Sequence, residues 1–370
     1  MPFDRRLIFC INWPLLALTA LLFGVGVLNL YSASGFRMGD EVSLQPFYSK
    51  QFIWGLAGLG CMLAMVLFDY KHLAEVAWPL MVVTLVLLLL VLVAGKTVSG
   101  ARRWLPIGGY SFQPSELAKI ATLLLAAKIL SKRSERIGWM DLAGILAVTL
   151  PVVGLIVVEP DLGTGLNVLL LVCGLILFRG LASPVFKTLL LAVPILAPCG
   201  WFFLKPYQKG RILTLFNPER DPLGAGYHII QSQIAIGSGQ MWGKGFLEGT
   251  QSQLRYLPEK HTDFAVAVFA EEWGFVGTIV LLTLFCLFLL QFYVTARNAK
   301  DRFGSYLAAG VFFYFFWQIL INMGMVLGIM PVVGIPLPFI SYGGSATLVN
   351  FTLVGIVVNV SMRRFMFKEG

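Results

Sequence analysis

The sequence predicts an all-α integral membrane protein of about ten transmembrane helices, with one long extracytoplasmic loop between helices 7 and 8. Its 370 residues are 58% hydrophobic and only 13% charged, whereas soluble domains carry roughly a quarter charged residues. Its apolar runs are long enough to cross a bilayer. Its basic residues collect on alternate connections between those runs, as they do in multi-pass membrane proteins.

A helix needs about 20 mainly apolar residues to cross the roughly 30 Å core of a bilayer. The apolar runs that meet or approach this length cover residues 12–31, 51–68, 76–94, 114–130, 139–158, 164–178, 185–204, 264–296, 305–329 and 343–361. The run 264–296 is too long for one straight crossing, which predicts a short re-entrant or tilted stretch before the main helix. The first run is longer than the core of a secretion signal, which favours an uncleaved span. We expect residues 1–370 to form a single polytopic membrane domain.

The net charge of +9 is a signal of topology and does not require a nucleic-acid partner. With the N-terminus inside, the cytoplasmic connections and helix ends hold 15 of the 28 lysines and arginines, and the short outer loops hold five. This asymmetry predicts that both termini are cytoplasmic. The five cysteines lie in or beside apolar runs and the three histidines are scattered. We therefore predict small core residues at the cysteines, with neither a disulfide framework nor a metal site.

Three stretches on the predicted outer side differ from simple helix connections. Residues 95–113 are polar and glycine-rich, and 205–262 form a loop of about 58 residues. Residues 328–345 are apolar but contain three prolines and four glycines, so they cannot form a plain helix. Irregular backbone at membrane depth must be packed inside the protein or line a wet cavity. We expect the three stretches to roof one cavity together.

Two ionisable residues interrupt the fourth apolar run. Glu116 and Lys119 are three residues apart, which places them on one face of a helix. Ionisable residues inside a membrane span are costly and point to function. The alternative is a buried ion pair that only fixes helix packing, and the spacing does not separate the two interpretations.

Two aspartates stand at the predicted outer boundary, and each has two interpretations. Asp161 follows the turn 159–160 and precedes Gly163 and Thr164, which suits an N-cap of the sixth span. Asp263 begins the run 264–296 and could be an N-cap or a general base. On spacing alone, a cap is the default for both residues.

The long loop 205–262 is cationic. Its basic residues include Arg211, Arg220, Lys244, Arg255 and Lys260. Such residues are usually solvated or attract anionic lipid head groups. A lipid-linked diphosphate would use the same charges in a more ordered way.

Several of these motifs together resemble those of the SEDS proteins, the family of shape, elongation, division and sporulation. The motifs that carry the resemblance are residues 112–119, 160–164, 221–232, 249–253, 257–264 and 322–345. Within the family the loop motifs are most similar to those of the elongation branch. The resemblance covers nearly the whole chain.

The resemblance implies a peptidoglycan glycosyltransferase that polymerises lipid II on the outer face of the cytoplasmic (inner) membrane, during cell elongation and rod-shape maintenance. It implies a class B penicillin-binding protein as transpeptidase partner, together with other membrane proteins of the elongation complex. A divalent cation, Mg²⁺ or Mn²⁺, is an option. Asp263 matches the catalytic aspartate of the family, and Glu116 and Lys119 match its functional pair. Arg103, Asp161 and Ser341 match other motif positions.

The chemistry of that reaction suits an isolated carboxylate. Asp263 would take the proton from the acceptor 4-hydroxyl, and a diphosphate leaves without a second carboxylic acid once its charge is neutralised. Lys119 is the favoured cation for that task, with Arg211 and Arg255 as further candidates. Lys260 completes the predicted substrate-binding set. A lipid II flippase, which needs no base, and a structural scaffold remain rival functions.

Overall fold

A computed structural model of the chain describes residues 10–34, 47–98, 101–107, 110–132, 135–221, 224–253, 256–257 and 259–365. The helices are α1 (Trp13–Ala33), α2 (Phe47–Leu67), α3 (Tyr70–Ala94), α4 (Pro114–Ser131), α5 (Trp139–Val158), α6 (Leu162–Arg179), α7 (Ser183–Phe203), α8 (Pro206–Phe216), α9 (Ala225–Ser238), α10 (Thr250–Gln253), α11 (Ala265–Asn298), α12 (Arg302–Val326) and α13 (Gly344–Met362). The strands are β1 (Lys96–Val98), β2 (Ala101–Ile107) and β3 (Tyr110–Phe112). Short 3₁₀ turns cover Pro218–Arg220 and Arg363–Phe365.

The mainly helical, multi-pass architecture predicted from composition is confirmed. Each of the ten predicted apolar runs overlaps one long helix, and among the described residues nine of these helices are long and apolar enough to cross a membrane. The tenth, α4, has 18 residues and contains Glu116, Lys119 and Lys128. That α4 is the tenth span therefore stays a prediction.

The ionisable helix α4 lies inside the bundle. It packs against α3, α5, α6, α12 and α13, and most of its residues are buried. Burial among other helices explains how α4 can carry Glu116 and Lys119, because these two side chains do not face lipid. At the other extreme, α7 exposes nearly all of its surface, including Leu191 and Phe202.

The predicted interruption in the long run 264–296 is confirmed at Gly274. This residue breaks α11 with φ of 65° and ψ of −163°, a conformation that glycine adopts most readily. The segment before the break, from Ala265, is largely buried, whereas the segment after it alternates buried and exposed faces. A short enclosed helix therefore precedes the main crossing.

The long loop supplies the hydrogen bonds that the broken helix loses. Four backbone bonds cross the break: Lys244 N to Glu271 O at 3.1 Å, Gly245 N to Glu272 O at 3.1 Å, Phe275 N to Gln240 O at 2.9 Å and Val276 N to Met241 O at 3.1 Å. Every helix end leaves unpaired carbonyls and amides, and these are costly at membrane depth. The loop segment 240–245 pairs both the free carbonyls before the break and the free amides after it, so this part of the loop is hydrogen-bonded to the helix on both sides of the break.

The described part of the loop 205–262 is itself folded, which the sequence did not predict. It contains α8, α9 and α10, and α9 packs on α11 and α12. The Ser232 hydroxyl in α9 donates to the carbonyls of Ile229 (2.9 Å) and Val326 (2.8 Å). These contacts fix the loop to the end of the bundle.

The predicted irregular segment between α12 and α13 is confirmed. It has no regular secondary structure from Pro331 to Leu337, and Ile335, Leu337, Phe339 and Ile340 are buried. It packs closely on α1, since a Cβ added at Gly26 would lie 2.0 Å from the carbonyl oxygen of Phe339. It also reaches the loop, where Tyr342 N donates to His261 O at 2.8 Å. We call residues 331–343 the irregular segment below.

The three strands within residues 95–113 form a small antiparallel sheet in the order β1-β2-β3. The pairing sets Trp104 against Lys96 and Leu105 against Phe112, so Arg103 lies on the central strand. Two of the three stretches expected to lie together are in direct contact, at the hydrogen bond between Tyr342 and His261. The sheet contacts the turn before α6 through Arg103. The cysteines differ from expectation: all five are free, but Cys199 and Cys286 are exposed, because they lie on the outward faces of α7 and α11.

Candidate active site

The predicted N-cap at Asp263 is wrong. Helix α11 begins at Ala265, its N-cap residue is Phe264, and no side chain makes the capping bond. The turn is closed by the backbone, with Phe264 N donating to Glu259 O at 3.3 Å. Asp263 thus lies one residue outside the cap position, and the interpretation as a general base no longer competes with a capping role.

The Asp263 carboxylate is partly buried and makes no hydrogen bond within the described part of the chain. Burial, with the negative charge of Glu259, raises the pKa of Asp263 to about 6, and the cations Arg211 and Arg103 oppose that shift. The charge of Asp161 adds to it. A carboxyl with a pKa near 6 is ionised at neutral pH and is a stronger base than an ordinary aspartate.

Glycine backbone lines one side of this carboxylate. A Cβ added at Gly334 would lie 3.5 Å from Asp263 Oδ2, and Gly334 has φ of 78°. The same segment packs on the start of α6, where a Cβ added at Gly163 would lie 2.8 Å from the carbonyl oxygen of Val333. The irregular segment therefore lies between Asp263 and the N-terminus of α6.

Arg103 joins the β-sheet to the turn between α5 and α6. Its Nε donates to the carbonyl oxygen of Glu159 at 3.3 Å, and its Nη2 donates to the carbonyl oxygen of Pro160. Its Nη1 lies 3.9 Å from Oδ1 of Asp161. The guanidinium is thus held in place by backbone carbonyls while its charge faces Asp161.

The predicted N-cap at Asp161 is present, and the residue does more than cap. Its Oδ1 accepts from the Thr164 amide at 3.2 Å, at the start of α6. Its Oδ2 accepts from Gln113 Nε2 at 2.9 Å and from the Ser115 hydroxyl at 3.4 Å. One carboxylate therefore ties the sheet, the start of α4 and the start of α6 together.

Glu116 and Lys119 form the predicted ion pair, one turn inside α4. The Lys119 Nζ to Glu116 Oε1 distance is 2.5 Å, and both side chains are less than 10% exposed. The ammonium also lies 5.3 Å from the ring centroid of Tyr314, whose hydroxyl donates to Asn350 Oδ1 at 2.8 Å. Glu116 Oε2 has no hydrogen-bond partner among the described residues, so the pair keeps one free acceptor oxygen.

The remaining predicted residues have structural partners or lie outside the described residues. The Ser341 hydroxyl accepts from the Leu337 amide at 2.9 Å, so it closes a turn in the irregular segment. Lys260 Nζ donates to the Ser252 carbonyl at 2.6 Å, which holds the loop near Asp263. Arg255 is not among the described residues.

Two residues that the sequence did not single out belong to this region. Glu159 is fully buried, and neither of its carboxylate oxygens has a hydrogen-bond partner in the described chain. Burial and the charge of Asp161 raise the pKa of Glu159 to about 8, against the opposing charge of Arg103. Asn322, fully buried in α12, donates to the Asp263 carbonyl. Asn322 is the first residue of the family motif 322–345, but the sequence alone gave it no role.

The described residues contain no group of three or more histidine, cysteine, aspartate or glutamate side chains that could hold a metal ion. Magnesium in phosphoryl and diphosphate sites commonly uses one or two carboxylates together with the substrate's own oxygens. Asp161 and Asp263 are carboxylates of that kind. The Mg²⁺ or Mn²⁺ option therefore stays a prediction that depends on substrate.

Comparison with known proteins identifies the family. A family model described as "Cell cycle protein", of the FtsW, RodA and SpoVE type, matches residues 13–365. The peptidoglycan glycosyltransferase MrdB of Escherichia coli K12 is 39% identical over 361 residues, which cover 89% of this chain and 96% of MrdB.

Solved structures give the same result. One chain of a peptidoglycan synthase complex that coordinates polymerization and crosslinking is 35% identical, with a TM-score of 0.81, and the match covers 96% of this chain and 99% of that one. The rod shape determining protein RodA of Thermus thermophilus is 32% identical, with a TM-score of 0.71, and the match covers 96% and 98%.

Proposed function

This chain belongs to the FtsW, RodA and SpoVE family, and we propose that it is a peptidoglycan glycosyltransferase that polymerises lipid II into glycan strands during cell elongation. Its similarity to MrdB supports the reaction class. The observation that carries the proposal is the Asp263 carboxylate, which has no hydrogen-bond partner among the described residues and a pKa raised to about 6 by burial first and by Glu259 second.

In the proposed reaction, Asp263 acts as the general base. It takes the proton of the acceptor 4-hydroxyl, and the hydroxyl oxygen forms a bond to the anomeric carbon of the donor sugar. The bond from that carbon to the lipid diphosphate breaks, and the diphosphate leaves with the electron pair. General-base assistance of this kind contributes about 10²- to 10⁴-fold in rate.

The departing diphosphate needs positive charge nearby. Arg211 and Arg103 are the cations with the largest effect on Asp263, which supports a role for them beside the leaving group. Lys119 remains a candidate, but its ammonium is paired with Glu116 at 2.5 Å and so brings less uncompensated charge. Arg255 stays a candidate on the sequence alone.

We further propose the membrane and the orientation in which this protein lies, and the protein that it binds. The basic asymmetry of the sequence supports a cytoplasmic (inner) membrane protein with both termini in the cytoplasm and the loop 205–262 outside. The similarity to a chain of a peptidoglycan synthase complex that coordinates polymerization and crosslinking supports a class B penicillin-binding protein as partner. Other elongation-complex proteins follow only from the resemblance.

The deciding experiment incubates purified lipid II with the wild-type protein and with Asp263→Asn. We expect glycan polymer from the wild type and a loss of about 10²- to 10⁴-fold in the variant. A flippase or a structural scaffold would give no polymer with either protein.

Co-purification with the transpeptidase and the melting temperature serve as controls. Asp263 makes no capping bond, so the variant should fold and bind its partner normally. An Asp263→Asn protein that polymerises at the wild-type rate would refute the base role, and a wild-type protein without polymerase activity would refute the function.

A further inference from the structure

Asn322 joins two segments of backbone beside Asp263. It is 0% exposed, and its Nδ2 donates to the carbonyl oxygens of Asp263 at 3.0 Å and Ile335 at 2.7 Å. Both neighbours are acceptors, so the amide nitrogen must face them. Both hydrogens of the amide are therefore used on main chain.

The two segments are those that enclose the Asp263 carboxylate. Asp263 directly follows the long loop. Ile335 follows Gly334, where an added Cβ would lie 3.5 Å from Asp263 Oδ2. The Asp263 side chain has no hydrogen bond of its own among the described residues, so its position depends on the main chain that carries it. Asn322 is the side chain that holds that main chain at its carbonyl.

We propose that Asn322 is a positioning residue for the glycosyl transfer, which sets the distance between Asp263 and the irregular segment. The inference rests on the proposed role of Asp263 as base. It predicts that loss of the amide lowers kcat, because the base moves relative to the acceptor hydroxyl. Substrate binding, and hence KM, should change little.

The carbonyls of Asp263 and Ile335 both accept a hydrogen bond from Asn322. Replacing Asn322 by leucine keeps a similar volume but leaves the carbonyls of Asp263 and Ile335 without this donor. Buried polar groups are rarely left unpaired, so the backbone should shift to find other partners. A displacement of about 1 Å at a catalytic group is enough for a loss of about 100-fold.

Asn359, in α13, provides a matched control. Its Nδ2 also donates to two backbone carbonyls, those of Met65 and Phe68. Its Oδ1 accepts from Arg363 as well, so Asn359→Leu removes at least as many hydrogen bonds as Asn322→Leu. Asn359 lies near the C-terminal end of α13, whereas the irregular segment precedes the N-terminal end of that helix.

The experiment measures kcat and KM for lipid II polymerisation, with the melting temperature, for Asn322→Leu, Asn359→Leu and Asp263→Asn. We expect kcat to fall about 100-fold in Asn322→Leu with KM within about twofold. Asn359→Leu should lower the melting temperature at least as much and keep kcat per folded molecule. Asn322→Ser retains one hydroxyl donor and should give an intermediate kcat.

The outcomes separate the inference from the proposed function. Suppose that Asp263→Asn is inactive. If Asn322→Leu then keeps the wild-type kcat, or loses only as much kcat as Asn359→Leu does, the role of Asn322 is overturned and the role of Asp263 is not. An active Asp263→Asn overturns the base itself. Should Asn322→Leu fail to fold, a folded Asn322→Ser with wild-type kcat would equally refute the inference.

Discussion

At the scale of single residues, the proposed chemistry depends on the pKa of Asp263, which groups of opposite effect around the carboxyl determine. Burial and Glu259 raise its pKa, while Arg211 and Arg103 lower it, and the result is a pKa of about 6. A base works only when deprotonated, so polymerisation should lose about tenfold in rate per pH unit below pH 6.

Removing Arg211 tests this balance. Arg211→Ala takes away a charge that stabilises the ionised carboxylate, so the pKa of Asp263 should rise and the acidic limb of the rate profile should move to higher pH. The measurement is kcat between about pH 5 and 8. Lys209→Ala, on the same helix α8, is the control, because Lys209 lies against the Trp201 ring and should leave the limb in place. An unmoved limb in Arg211→Ala would contradict the assignment.

The ion pair in α4 allows a second residue-scale prediction. Breaking a buried pair leaves one uncompensated charge, at a cost of about 3–5 kcal/mol in the free energy of unfolding. Glu116→Ala and Lys119→Ala should each be strongly destabilised and impaired in polymerisation. The double variant should cost less than the sum, because it leaves no unpaired charge. Additive losses in the double-mutant cycle would show that the two residues act independently.

At the scale of elements, α11 shows how a break in a membrane helix is made tolerable. Gly274 and Gly243 face each other so closely that a Cβ added at Gly274 would lie 2.2 Å from the amide nitrogen of Gly243. That approach lets the loop segment 240–245 pair the open amides and carbonyls on both sides of the break. The break therefore holds the loop in place, and with it the turn that carries Asp263.

Gly274→Ala should disrupt this junction. Alanine at φ of 65° costs about 1–3 kcal/mol for backbone strain alone, and its methyl group would collide with Gly243. We expect a lower melting temperature and reduced polymerisation. Gly237→Ala is the control, because no atom lies within 4 Å of a Cβ at that position. Equal melting temperatures for the two variants would argue against a structural junction.

At the scale of the whole molecule, the sheet, the folded loop and the irregular segment meet at one end of the bundle. Arg103 and Asp161 connect the sheet to α6, and Tyr342 connects the irregular segment to His261 of the loop. A membrane-embedded polymerase acting on an outer-leaflet substrate requires this end to face outside. The charge asymmetry of the other connections predicts the same orientation.

Thiol labelling tests the orientation. In a background without the five native cysteines, Glu219→Cys, in the loop, should react with a membrane-impermeant maleimide in intact cells. Lys300→Cys, in the short connection between α11 and α12, should react only after permeabilisation. Both positions are exposed, so access depends on the side of the membrane. Labelling of Lys300→Cys in intact cells, with Glu219→Cys labelled only after permeabilisation, would contradict the predicted orientation.

The sequence by itself determined the features that depend on local composition and on motifs. Hydropathy located the long helices and the interruption before the main part of α11, because about 20 apolar residues are needed for a crossing. The prolines and glycines of 328–345 excluded a regular helix. The spacing of Glu116 and Lys119 predicted a shared face, which the 2.5 Å contact bears out. The motifs identified the family.

Only the tertiary structure decided what each polar residue does. Spacing alone left two interpretations of Asp263, a cap of α11 and a general base. The cap falls on Phe264, and a shift of one residue is beyond what spacing can resolve. Asn322 donates to a carbonyl 59 residues away, and Glu159 is buried without a hydrogen-bond partner among the described residues. Contacts of this kind join distant segments, so no local pattern records them; they exist only once the helices have packed.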